Sequence, residues 1–420
     1  MNGRNHDRSS ILRLNGRWRF LQTPGTWFWA VVSMGVVLRA YLVLFTQGTY
    51  DVDIWLGHAQ GVIDKGLVGQ YRASAMLNHP PLACWVAALL ARISGWTGLP
   101  FRILMRAPLA LADIGTAFLL GHALRTSRYR WVATALYAIN PLAIILSAYH
   151  GNTDCLIALL LLACAAQVAR DRPTAAGAAL AASLWIKLPG LLIAPALALA
   201  FPRWRDRLRF AATAAAVGVL PYLPVLFADP AILFLRVFGY SGQIIQTTAG
   251  VRVWGWQNFL APLWKLPPAW QPAIDSLLTY LYEHNTLLLA IPLAALAWMR
   301  RGRQDITSLG YTIAGSFAIV YAISNNWSFQ YLAWSIPFWF LTGWGFAAAA
   351  TALPGGYIYA LYAFECGNPF LLGPWDFVGH PLWPWYPLVL RDFSTLFFMI
   401  SAAVFLIRAG RVERPRVRVT

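Results

Sequence analysis

The segment Thr49-Tyr50-Asp51-Val52-Asp53-Ile54-Trp55 places two carboxylates two residues apart, just beyond the first long apolar run. One carboxylate of such a pair can take a proton from a hydroxyl while the other orients it, or the two can hold a divalent ion such as magnesium or manganese. The same residues can do less, because one aspartate here can cap a helix starting near Ile54. Only 16 residues of the chain are acidic, so two of them at one junction favour chemistry. Further along, Asn78-His79-Pro80-Pro81-Leu82 holds a fixed bend, since paired prolines cannot continue a helix. His79 can donate to a phosphate or sugar oxygen there, or simply belong to the turn. Tyr149-His150-Gly151-Asn152-Thr153-Asp154 gathers His150, Asn152 and Asp154 between two very apolar runs. Polar residues so placed face an interior cavity, although Asp154 alone can also cap the next helix. Lys187, one of three lysines, lies in the apolar stretch Trp185-Ile186-Lys187-Leu188-Pro189. It needs a partner, an anionic ligand or a route to the interface, and Arg39 presents the same choice. Ser328-Phe329-Gln330-Tyr331-Leu332-Ala333-Trp334 offers Gln330 and Tyr331 to a ligand, or an aromatic belt to the membrane surface.

The elements that must position these residues are apolar helices. Of 420 residues, 59% are apolar and 12% charged, and the mean hydropathy is +0.54. Soluble domains carry about 25% charged residues, so the chain reads as an all-α polytopic membrane protein. The net charge of +17 reflects loops that collect arginine on the cytoplasmic side and implies no nucleic-acid partner. Cys84, Cys155, Cys164 and Cys366 show no paired spacing, which argues against a disulfide framework or a zinc site.

Arginine clusters precede residue 20 and recur at 125–130, 170–172, 203–209 and 300–303, with a last one in the C-terminal tail. Placing all of them in the cytoplasm puts both termini inside and makes the span count even. The first run, 27–46, lacks a small-residue cleavage site and reads as an uncleaved span. The stretch 81–94 is shorter than the ~20 residues a span needs and reads as a helix on the outer surface. About twelve spans follow, in one membrane domain over 27–408, between a basic N-terminus (1–26) and a basic tail (409–420). The least secure boundaries lie around 174–202 and 349–366. The outer loops at 47–101, 229–278 and 367–389 are long enough to hold chemistry. The expected location is a bacterial inner membrane.

Taken in order, these motifs resemble the GT-C membrane glycosyltransferases. The first-loop Asp51/Asp53, Lys187-Leu188-Pro189 and Phe329-Gln330-Tyr331 with Trp334 resemble the catalytic subunit of GPI mannosyltransferase I. His79-Pro80-Pro81-Leu82 and, loosely, His150-Gly151-Asn152 resemble the asparagine-linked-glycosylation glucosyltransferases. Two departures stand out: histidine replaces the tyrosine of Y-P-P-L, and the lysine motif lacks its tyrosine. The resemblance implies a polyprenyl-phosphate sugar donor, a lipid or glycan acceptor at the outer face and one inverting displacement. It makes Asp51 the general base, with Asp53 in support. Lys187, Arg39 and His79 become the groups facing the donor phosphate, with His150, Asn152, Asp154, Gln330 and Tyr331 completing the substrate site. The chain has neither a P-loop nor a glycine-rich dinucleotide fingerprint for a nucleotide sugar. The competing class is a twelve-span transporter or lipid flippase. Such folds show two related halves and charges at the bilayer midplane, and no internal repeat is visible here.

Overall fold

The computed structural model describes residues 24–239, 266–324, 328–376 and 383–411. The basic termini, the centre of the 229–278 loop and part of the 367–389 loop lie outside the described residues. The first long helix, α1 (Thr26–Phe45), leads through a short turn into α2 (Asp51–Ala73) and α3 (Pro81–Thr97). α4 (Phe101–Ala123) follows, then α5 (Arg130–Ala138) and α6 (Pro141–Ile144), which runs on as a π turn over Ile145–Tyr149. α7 (Asp154–Val168), α8 (Pro173–Leu184) and α9 (Gly190–Ala200) are short apolar helices. α10 (Trp204–Gly218) continues through α11 (Leu223–Ala228) to α12 (Pro230–Leu233). The remainder comprises α13 (Gln271–Glu283), α14 (Asn285–Met299), α15 (Ile306–Ile323), α16 (Ile336–Thr342), α17 (Trp344–Glu365) and α18 (Trp385–Arg411).

The chain is an all-helical, polytopic membrane protein, but the expected twelve spans are not what the helices provide. Among the described residues, five helices are long and apolar enough to cross a membrane: Thr26–Phe45, Phe101–Ala123, Trp204–Ala228, Ile306–Ile323 and Trp385–Arg411. A sixth is added if α5 and the Pro141–Tyr149 helix, bent by 48°, count as one. Local chemistry explains the shortfall. Pro141 cannot extend α5, and Asn140 instead caps the next turn, accepting from the Ala143 N–H at 3.0 Å. Pro189-Gly190 separates α8 from α9, and Gly343, at φ 140°, separates α16 from α17. The stretch expected at 81–94 is the 17-residue α3, with prolines fixing its start and Gly98 its end.

The helices share two ends. At one, Asp171 accepts from Arg203 and Gln304, the Gly302 N–H donates to the Leu199 carbonyl, and Arg170 meets His122. These arginine-rich turns therefore sit together. At the other end lie the α1–α2 turn, His150, Lys187 and Tyr331.

Two buried arginines tie α4 to its neighbours. Arg39 on α1 contacts Asp113 at 2.6 Å, and Asp113 also accepts from Tyr137 and Ser147. Arg106 donates to the carbonyls of Leu42, Val43, Thr46 and Ala148, gathering the open C-terminal end of α1 against the π turn.

Candidate functional site

The α1–α2 turn and the His150–Asp154 segment are built against each other. Gly48 has φ +86° and Gly151 φ +81°. A Cβ on Gly151 would lie 2.4 Å from Val52 Cγ2, so only glycine allows this approach. Thr49 Oγ1 donates to the His150 carbonyl at 2.7 Å. The five-residue π turn before His150 shifts the helix register and ends the segment here.

Asp51 is the first residue of α2, after Tyr50, and neither Asp51 nor Asp53 is its cap. Asp51 Oδ2 accepts from Asn152 at 2.7 Å and lies 3.1 Å from His150 Nε2. On the far side of the imidazole, the Tyr362 hydroxyl is 2.5 Å from Nδ1. With Tyr362 donating to Nδ1, Nε2 carries the proton and donates to Asp51. No other described group bonds the Asp51 Oδ1 oxygen, and the side chain remains 30% exposed. Burial pushes the carboxyl up, but His150, Asn152 and Lys187 bring it down to about 2. It is therefore an anion at any physiological pH.

Tyr362 was not visible as a site residue in the sequence, where it lies in an unremarkable aromatic run of α17. Tyr362→Phe keeps the ring beside His150 and Trp375 and removes only the hydroxyl. A lost hydrogen bond of about 0.5–1.5 kcal/mol should lower the transfer rate roughly three- to tenfold at unchanged abundance. Initial rates at saturating substrate check this, and full activity would mean that His150 is oriented by other contacts.

Behind this first group lies a second. Asp154 is buried and is not the cap of α7, a position taken by Thr153. Both Asp154 oxygens accept from Lys187 Nζ at 3.0 Å, and Trp334 Nε1 donates to one of them at 2.5 Å. The ammonium also sits 4.9 Å from the centre of the Tyr331 ring, which stacks on Trp334. Lys187 thus neither floats in lipid nor reaches for the interface. Gln330, next to Tyr331 in the chain, is buried and accepts from Ser328 Oγ. His79 stacks on Trp55 with ring centres 4.2 Å apart. Burial, Lys187 and His58 hold its imidazole well below the ordinary value against the pull of Asp51, so it is neutral at pH 7.

His79 and Lys187 share a cavity of about 560 Å³. Its lining includes the polar residues Asn78, His79, Lys187, Glu283, Asn285, Thr286 and Ser324 and the apolar Leu188, Leu191, Leu192, Phe238 and Leu289. A site of this form takes a ligand with a polar head and an apolar body.

Residues 78–325 match glycosyltransferase family 87. The chain belongs to that family. No curated protein matches the chain. The matched segment begins at the His79 bend and contains His150, Asn152, Asp154 and Lys187, while Asp51 precedes it and Tyr331 follows it. Membership makes this protein a membrane glycosyltransferase, a transferase that brings a sugar donor and an acceptor together.

Two expected site residues of this family 87 chain stand apart. Arg39 is closed on Asp113 and on the Gly35 and Ala138 carbonyls within the helix bundle. Asp53 is exposed and lines a different cavity. The helix begins at Asp51, and residues i and i+2 of a helix point in nearly opposite directions. The two carboxylates therefore do not form the shared ligand pair that their spacing suggested, and no group of three or more potential ligands gathers among the described residues.

Proposed function

We propose that this chain transfers a hexose, mannose in preference to glucose, from a polyprenyl-phosphate donor to a hydroxyl of a lipid or glycan acceptor, with inversion. One observation carries the reading: a partly exposed Asp51 anion, fixed through one oxygen, stands in the same electrostatic neighbourhood as the His79–Lys187 head of an apolar-walled cavity. The polyprenyl chain suits Leu188, Leu191, Leu192, Phe238 and Leu289, and the phosphate suits His79 and Lys187. The acceptor oxygen attacks the anomeric carbon as the bond from that carbon to the phosphate oxygen breaks. The acceptor proton passes to Asp51 Oδ1, and the polyprenyl phosphate leaves with the electron pair as an anion. Lys187 stabilises the charge growing on that oxygen, and neutral His79 adds one N–H donor. Arg39, spent on Asp113, takes no part.

The basic end is assigned to the cytoplasm and the Asp51 end to the outer face. Added to the five long spans and the bent pair, the short helices α7, α8, α9 and α14 together with α16 and α17 supply the further passes of a twelve-pass arrangement. Reporter fusions near residues 127, 206 and 302 should read cytoplasmic, and those near 70 and 375 outside. A cytoplasmic signal at 70 overturns the catalytic assignment, because Asp51 and His79 would then face the wrong compartment.

The direct test is an assay of purified protein with polyprenyl-phosphate mannose and polyprenyl-phosphate glucose against lipid and glycan acceptors. Transfer from the mannose donor that exceeds transfer from glucose supports the reading. Transfer from a nucleotide sugar alone refutes it.

A further inference from the structure

A second cavity, of about 390 Å³, opens against the α1–α2 turn and is lined by Thr49, Tyr50, Asp53, Arg102 and Trp375 among others. None of its lining residues is shared with the His79–Lys187 cavity. Thr49, Tyr50, Val52 and Asp53 flank Asp51, which itself lines neither cavity, so this cavity adjoins the turn that carries the proposed base. Trp375 meets the Tyr362 ring edge-on at 5.0 Å, which joins this cavity to the Tyr362–His150–Asp51 chain.

Its two charges are unspent. Arg102 is half-buried, its Nε is enclosed without a hydrogen-bond partner, and no described carboxylate lies within ion-pair distance of it. Asp53 lines the same cavity, yet its carboxylate bonds no described residue. The enclosed Nε of this half-buried guanidinium is unfavourable without a hydrogen-bond partner, and the guanidinium fork fits phosphate or carboxylate. A carboxylate accepts from sugar hydroxyls, and a half-buried indole offers a flat face to sugar C–H groups. A neutral sugar would leave Arg102 unanswered, whereas a bare anion would meet Asp53. One ligand answers both.

We propose that this cavity seats the acceptor and selects a sugar that carries an anionic substituent, phosphate or carboxylate, beside its hydroxyls. The assignment of the cavity to the acceptor rests on Asp51 being the base. The binding chemistry is testable without turnover.

Full-length protein in detergent is titrated with octyl glucoside, octyl glucuronide, octyl glucoside 6-phosphate and dioctanoylphosphatidylglycerol. At least one anionic glycoside should bind at least about tenfold tighter than octyl glucoside, a preference that Arg102→Gln abolishes. Arg102→Lys, which keeps the charge without the fork, should fall between. Asp53→Asn should weaken all three glycosides alike. If Arg102→Gln does not accumulate, the wild-type ranking together with Asp53→Asn decides. Equal affinity for the three glycosides, or a preference that survives Arg102→Gln, overturns the proposal. Phosphatidylglycerol binding as tightly as the glycosides also overturns it, in favour of a lipid headgroup site. Because the readout is binding, failure here leaves the polyprenyl-phosphate assignment standing. Failure of transfer from that donor in turn leaves this ranking unaffected.

Discussion

Asp51→Asn should lower the transfer rate by about 10²–10⁴-fold, the usual contribution of a general base, while expression and donor binding stay normal. Asparagine preserves size and can still meet His150 and Asn152 through one amide rotamer, but it cannot take the acceptor proton. The test discriminates well because the structural alternative has weakened: Tyr50, not Asp51, precedes α2 as its cap. The pH profile adds a second check. Asp51 titrates at about 2 and remains ionised from there upward. The wild-type rate should therefore show no loss near pH 4, where an ordinary aspartate would begin to protonate. Near-wild-type activity in Asp51→Asn would remove the base from the mechanism.

Lys187→Met should have the largest effect on folding. Removing the ammonium leaves Asp154 buried with its main counter-charge gone. Breaking one side of a buried pair costs about 3–5 kcal/mol, a large part of the stability of a typical domain. The single variant should accumulate poorly. Lys187→Met combined with Asp154→Asn removes both charges and should recover most of the abundance, because the neutral amide introduced by the second substitution can still accept from Trp334. The recovered double variant should bind donor about ten- to a hundredfold more weakly, matching the loss of one charge-assisted hydrogen bond of roughly 1.5–3 kcal/mol. Thermal melts and donor titration of the purified variants separate the two effects. A double variant with normal donor affinity would confine Lys187 to a structural role.

The residues near Asp51 were legible in the sequence because polar groups are rare in so apolar a chain. His150, Asn152, Asp154 and Lys187 stood out for that reason, and they come together at one end of the bundle. Pairings across the chain were not legible. Arg39 looked as free as Lys187, because nothing local announces Asp113, seventy-four residues away. Tyr362 hid among aromatic neighbours, and its role depends on α17 packing beside the His150 segment. Asp51 and Asp53 looked like a pair because the sequence left the helix start near Ile54. A start three residues earlier turns adjacent carboxylates into opposed ones. The lengths of the spans were not legible for a related reason. Hydropathy records apolar length, whereas Asn140-Pro141, Pro189-Gly190 and Gly343 divide that length into pieces of unequal size.

The Arg39–Asp113 contact also bears on how the chain enters the bilayer during synthesis. α1 is made before α4 and carries an arginine among its apolar residues, which costs about 2.5–3.5 kcal/mol on insertion scales when placed near the helix centre. Its counter-charge arrives only with α4, after the whole segment holding Asp51 and His79 has been made. Until then the Arg39 guanidinium lacks its carboxylate partner. When Asp113 arrives, the ion pair fixes the depth and rotation of the first helix against α4.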